Sequence, residues 1–272
     1  MPVPPDIQRD NHMDVELIAI TPEAENVIEA AGRTAYQSLD KRTDQPVVEA
    51  ERGKEIRIFA AETVPEIRDV RPGQSFSLLG ETWRARRVWK NSAEKFVRML
   101  IQNGHFSVLE HASATFRIYG ISRAFTHQIV RHRMASFTQQ SQRYVNEETF
   151  RFIEPPSIQA NPEGHEMYVD FMERARDVYY RLQESGIRKE DARFVLPNGV
   201  ESEIVITANL REWRHIIEVR GEAKAQWEIR RATGMILALL KTAVPAVFFD
   251  LEWNEQKESL IRKQSESKNM ET

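Results

Sequence analysis

The chain has 272 residues, 41% of them hydrophobic, enough for one large domain or two small ones and for a sizeable core. Its formal net charge of -3 excludes a uniformly basic nucleic-acid binder, so any basic surface must be local. It contains no cysteine, which excludes disulfides, thiolate metal sites and a cysteine nucleophile and suits a reducing, cytoplasmic compartment.

The Met1–Asp6 segment lacks the charged and apolar halves of a signal peptide. A strand is expected over Val15 to Ile20. Thr21-Pro22-Glu23 then reads as the start of a helix reaching about Ser38, with Thr as cap and Pro in the first turn. From Leu39 to Asn91 charges are dense and Gly and Pro recur, so residues 39–91 read as a strand-containing surface insertion. Ser92 restarts a helix, with Phe96, Met99, Leu100 and Asn103 on related faces and Gly104 to end it. Ala112, Ala114, Phe116 and Ile118 alternate with polar residues, the pattern of a half-buried strand that Gly120 breaks.

Ile121, Ala124, Phe125 and Ile129 then recur at helical spacing. They lead into Arg131-His132-Arg133-Met134-Ala135-Ser136-Phe137-Thr138-Gln139-Gln140-Ser141-Gln142-Arg143-Tyr144, an anion-binding surface. Met167, Phe171, Val178 and Leu182 mark a long helix ending near Gly186, and a short one ends at Pro197. Ile204 to Ala208 reads as a strand; Arg211 to Val219 and Ala225 to Leu240 read as helices. The apolar run from Gly234 to Phe249 is interrupted by Lys241 and Pro245 and is too short to cross a bilayer, so no membrane partner is expected. From Glu255 the chain is charged and reads as frayed. Strands and helices mix without a βαβ rhythm or a Gly-rich nucleotide fingerprint, which predicts a single α+β domain over 1–272 rather than a Rossmann fold.

The planar guanidinium fork grips phosphate through two parallel hydrogen bonds, so Arg131 and Arg133 can serve two anions or one diphosphate. Ser141 with Arg143 offers a second cradle of hydroxyl, backbone N–H and guanidinium. The blander reading is a solvated basic patch. A rival function is a single-stranded nucleic-acid module, with Arg131, Arg133 and Arg143 on phosphates and Phe137 and Tyr144 stacking. No metal site is expected, because Glu110-His111 lacks the i, i+4 spacing of a zinc helix. Phe96, Phe171, Trp213 and Trp227 read as core.

Arg131-His132-Arg133, seven residues and Ser141 resemble the R-H-R-x7-S signature of the flavin-dependent thymidylate synthases. Gly104-His105-x-Ser107-x-x-Glu110-His111, Ala192-Arg193-x-Val195-Leu196-Pro197 and Arg220-x5-Gln226-x-Glu228-Ile229 resemble three further motifs of that family, in order, between about Val15 and Ala246. The resemblance implies a mixed, largely antiparallel sheet packed with long helices, and a homotetramer with shared active sites. It also implies methylation of dUMP, with carbon from 5,10-methylenetetrahydrofolate and hydride from FAD reduced by NADPH. No nucleic-acid partner is implied. Such chemistry needs no cysteine, since uracil is activated electrostatically rather than by thiolate attack.

Carried over by motif, Gln128, Arg131, Gln139, Gln140, Ser141, Gln142, Arg143, Arg193 and Arg220 correspond to dUMP ligands, with Arg220 catalytic. Ser107, Arg131, His132, Arg133, Gln139, Asn209, Leu210, Arg211 and His215 correspond to FAD contacts. His105 lies near flavin and folate, and His111 is structural. Gln139 stands where Glu is frequent and Thr138 where Asn is. His215 and Lys224 stand where an Asn and a His contact FAD in relatives.

Overall fold

A computed structural model describes residues 13–78, 80–144 and 150–262. In chain order the elements are β1 (Asp14–Ile20), α1 (Ala24–Ala35), β2 (Val47–Arg52), β3 (Glu55–Ala60), β4 (Ser75–Leu78), β5 (Glu81–Trp89), α2 (Ser92–Gln102), β6 (Ser113–Ser122), α3 (Arg123–Ile129), β7 (Ala135–Gln139), α4 (Pro156–Gln159), α5 (Pro162–Glu184), α6 (Lys189–Ala192), β8 (Glu201–Asn209), α7 (Leu210–Arg220), α8 (Trp227–Ala243), β9 (Leu251–Asn254) and β10 (Ser259–Arg262). A 3-10 helix, Phe106–His111, joins α2 to β6.

The central sheet has the order β1-β6-β8-β7, and each neighbouring pair is antiparallel. Alternation in β6 and β8 puts Ala114, Phe116, Ile118, Ile204, Ile206 and Ala208 into one core with Ile28, Val97, Trp213, Ile217, Ile229 and Leu237 from the helices. The opposite face carries polar pairs, Thr115 with Thr207 and Arg117 with Glu203. The fold is thus α+β with antiparallel sheets. Residues 47–89 build a second antiparallel sheet, order β3-β2-β5-β4, around their own core of Val48, Ala50, Ile67, Phe76 and Trp83.

Several local expectations need correction. Thr21 does not cap α1. Its hydroxyl accepts from the N–H of Ser113, tying β1 to β6, while Glu23 enters the helix in the left-handed region at φ 49°. Gly120 does not end its strand; it sits at φ +65° in a bulge through which β6 continues to Ser122. In α5 the buried residues are Met172, Ala175 and Tyr179, whereas Met167 (66% exposed), Phe171 (51%) and Val178 (44%) face outward. Phe171 is therefore not core, and an apolar stripe is left without cover among the described residues. Residues 259–262 are a strand rather than frayed chain: Leu260 N–H donates to Gly221 O at 2.7 Å, and Trp253 of the same hairpin fills the space that Gly234 leaves open on α8. The tail beyond 262, the Met1–Asp6 segment and Leu79 lie outside the described residues.

Candidate active site

The arginine-rich segment is aimed by the start of α3. Ser122 caps that helix, its hydroxyl accepting from Phe125 N–H, and Ser122 is in turn held by Glu228 of α8. The buried Glu228 carboxylate accepts the Ser122 N–H and the Ser122 hydroxyl, both at 2.6 Å. Burial pushes its pKa above the usual glutamate range. Gln226 caps α8 by accepting from Ile229 N–H at 3.0 Å. The Gln226-x-Glu228 motif is therefore scaffolding, locking α8 to α3, the helix that leads into Arg131.

Beyond α3 the chain turns through Arg131–Met134 into β7, the edge strand of the sheet. His132 points inward and is 7% exposed, while Arg131 and Arg133 are exposed and have no carboxylate partner among the described residues. Arg220, the last residue of α7, reaches this turn. Its Nε donates to His132 Nε2 at 2.9 Å and its terminal nitrogen to the Gln128 carbonyl at 3.0 Å. An arginine can only donate, so His132 Nε2 carries no proton and Nδ1 does. That Nδ1 lies 3.3 Å from Glu212 Oε1. Burial, and repulsion from Arg220, His215 and Arg131, lower the His132 pKa to about 4, so the ring is neutral at physiological pH.

Among the described residues Arg220 thus has a neutral imidazole and a carbonyl as acceptors, and no carboxylate. Burial and the neighbouring Arg131 push its pKa below the usual arginine value. Arg214, one helical face away, shows the ordinary solution: it is buried, and Asp250 binds it in a fork at 2.7 and 2.8 Å. A half-buried guanidinium without a counter-charge is costly unless an anion completes it.

A second cluster gathers Arg143 and Arg193 around Glu190 of α6. The Arg143 guanidinium donates to the Glu190 carboxylate at 3.2 Å, and Arg193 Nε donates to the Glu190 carbonyl at 3.1 Å. Arg188 stands 3.6 Å from the same carboxylate, so two arginines share one negative charge while Arg193 holds the backbone beside them. Arg143 and Arg188 border a cleft of about 340 Å³, lined also by Tyr144, Lys189 and Glu190. Ser141 shapes the turn, its hydroxyl accepting from Arg143 N–H at 3.3 Å. Gln140 N–H donates to Glu203 O, and Gln142 is half-buried. Gln139 turns inward and donates to Thr126 at 2.7 Å, tying β7 to α3.

The third group lies where β6 meets α7. Asn209 pairs with Ser113 across the sheet and caps α7 by accepting from Glu212 N–H at 2.8 Å; Leu210 is fully buried. Arg211 is exposed and donates to Glu110 at 2.5 Å, and His105 and Ser107 are exposed beside it in chain order. Arg211 and Arg220 are nine residues apart on one helix, roughly 14 Å along its axis. The Asn209 cap on the Glu212 N–H links this group to the Arg220 cluster. Lys224 is exposed and pairs with Glu222 at 2.7 Å.

Glu190, Glu212, Ser122 and Thr126 escaped the sequence reading, as did the contact that the motif residue Glu228 makes with Ser122. Each acts on a residue distant in sequence, and no local spacing signals such a contact. His132, Glu212 and His215 bring potential ligand atoms within 4.8 Å, an arrangement equally invisible in the spacing. While Arg220 donates to Nε2 and Nδ1 carries the proton, neither nitrogen of His132 has a lone pair for a cation.

Residues 16–246 match the family model described as thymidylate synthase complementing protein. The chain belongs to this family. It is 36% identical over 242 residues to the flavin-dependent thymidylate synthase of Nitratidesulfovibrio vulgaris, covering 86% of this chain and 84% of that one. The Geobacter sulfurreducens flavin-dependent thymidylate synthase is 45% identical over 157 residues, 57% of this chain and 68% of the relative. That of Pyrococcus furiosus is 43% identical over 155 residues, 56% and 64%. The donor set fits an anionic dinucleotide cofactor, since Arg131 and Arg133 offer exposed guanidinium groups without carboxylate partners beside the uncompensated Arg220. Phe137, by contrast, packs against the core, which removes one of the stacking rings of a single-strand binder.

Proposed function

We propose that this protein converts dUMP to dTMP by reductive methylation, taking its carbon from 5,10-methylenetetrahydrofolate. Bound FAD, reduced by NADPH, supplies the hydride. The observation that carries the reading is Arg220, a half-buried guanidinium held by His132 and the Gln128 carbonyl with no carboxylate among the described residues to neutralise it. Uracil deprotonated at N3 is the planar anion that such a fork stabilises, and the anion makes the ring carbon nucleophilic without a thiolate.

In this reading Arg143, Arg193 and Ser141 hold the dUMP phosphate, with Gln128, Gln139, Gln140, Gln142 and Arg131 completing the nucleotide pocket. Arg131, His132, Arg133, Ser107, Gln139, Asn209, Leu210, Arg211 and His215 belong to the flavin surface. Asn209 and Leu210, whose side chains cap α7 and fill the core, contribute there through their backbone. His105 lies where flavin and folate meet.

The site is shared between subunits, most simply in a homotetramer. Large apolar groups lie exposed beside each arginine cluster: Met134 (71%), Tyr144 (77%) and Phe194 (83%), as does the Met167–Phe171–Val178 stripe of α5. Patches of this kind mark surfaces that another chain covers. Residues 39–91 form an insertion on one domain. Among the described residues no helix is long and apolar enough to cross a membrane, and the chain's lack of cysteine suits the cytoplasm. The visible spectrum of the purified protein tests the reading: a flavin absorbance that NADPH bleaches under anaerobic conditions supports it. A protein that stays colourless after incubation with FAD overturns it.

A further inference from the structure

We infer that Glu212 is a positioning residue for Arg220, acting through His132. The inference rests on the reading of Arg220 as the group facing uracil; its geometry does not. Arg220 Nε needs an acceptor, and the ring nitrogen 2.9 Å away accepts only while the His132 proton sits on Nδ1. In the other tautomer two N–H groups would face each other. Within this network the group that selects the tautomer is Glu212, whose Oε1 lies 3.3 Å from Nδ1. The Glu212 side chain is only 11% exposed and that of His132 6%, so water competes poorly for either nitrogen.

The elements make this chain of contacts rigid. Glu212 stands in the first turn of α7, where Asn209 caps its N–H, and Arg220 closes the last turn of the same helix. His132 comes from the turn after α3, whose preceding Gln128 carbonyl takes the second Arg220 bond. One helix therefore holds both ends of the relay, and the arginine-rich turn supplies the middle. Loss of the Nδ1 acceptor would free His132 to present N–H to Arg220. Repulsion from Arg131 would then turn the guanidinium away from its fixed orientation. His215, whose ring meets that of His132 edge to face at 5.6 Å, borders the relay without a bond to Arg220.

The test compares Glu212→Leu, which removes the acceptor, with Glu212→Gln, which keeps an amide oxygen for Nδ1–H. Proton–nitrogen correlation spectra of the ¹⁵N-histidine-labelled holoenzyme report the His132 tautomer directly. Wild-type protein should show the Nδ1–H form, and Glu212→Leu a shift towards Nε2–H. In the same variant kcat should fall about 10–100-fold, the size typical of a lost outer-shell partner, with KM for dUMP changing less than about 3-fold. Glu212→Gln should recover most of the rate. An Nε2–H tautomer in the wild type overturns the inference even if the leucine variant fails to fold. So does a leucine variant with an altered tautomer and unchanged kcat, or an equal loss in both variants. If the wild type makes no dTMP, the tautomer measurement still stands, and the failure falls on the functional reading instead.

Discussion

Arg220 Nε donates to His132 Nε2 at 2.9 Å, which fixes a buried histidine in its neutral form beside two guanidinium groups. The pKa of that ring, lowered from 6.5 to about 4, has a stability consequence. Between those two values the unfolded chain binds the proton and the folded chain does not, so this group's contribution destabilises the fold as pH falls through the window. The full effect is about 3 kcal/mol. His132→Gln, which keeps an acceptor for Arg220, should be less sensitive than wild type to acid between pH 6.5 and 4. Urea melts of both proteins across that range check it, and parallel curves would contradict it.

Arg143 is exposed and bound to Glu190 through one charge-assisted bond, so it contributes little to the fold. Arg143→Ala should raise KM for dUMP about 10–100-fold, from the loss of a charged hydrogen bond to phosphate, and leave the melting temperature within experimental error. Steady-state kinetics against deoxyuridine as a phosphate-free competitor would show whether the loss is specific to the phosphate.

Glu228 holds Ser122 through two bonds of 2.6 Å inside the core. Glu228→Ala strands the Ser122 N–H and opens a cavity, and should destabilise by about 3 kcal/mol. Glu228→Gln keeps an oxygen for the N–H and should cost about 1 kcal/mol. Chemical denaturation of both variants distinguishes a packing role from a hydrogen-bonding one.

The α5 stripe predicts the assembly. Sedimentation of the wild type should give a multiple of the 31.7 kDa chain mass. Phe171→Glu should lower that multiple and reduce activity together. A monomeric wild type with full activity would exclude shared sites.

Much of the fold was legible because its strands alternate, as in β6, and its helices repeat apolar residues at helical spacing, as at Phe125 and Ile129 of α3. The α5 stripe misled for a physical reason: periodicity reports that an apolar face will be covered, not by which chain. Gly120 misled because one positive-φ glycine ends a strand in one context and bulges it in another. The arginines of the site were readable from their spacing with Ser141. The carboxylates around them were not, since Glu190 meets Arg143 across 47 positions and Glu212 reaches His132 only through tertiary packing.

The most direct measurement is single-turnover formation of dTMP by Arg220→Lys, with flavin and dUMP binding measured on the same sample. The account predicts binding within about 3-fold of wild type and turnover lowered at least about 100-fold, because a point charge replaces a fork aimed at the developing anion. Turnover at the wild-type rate would contradict it.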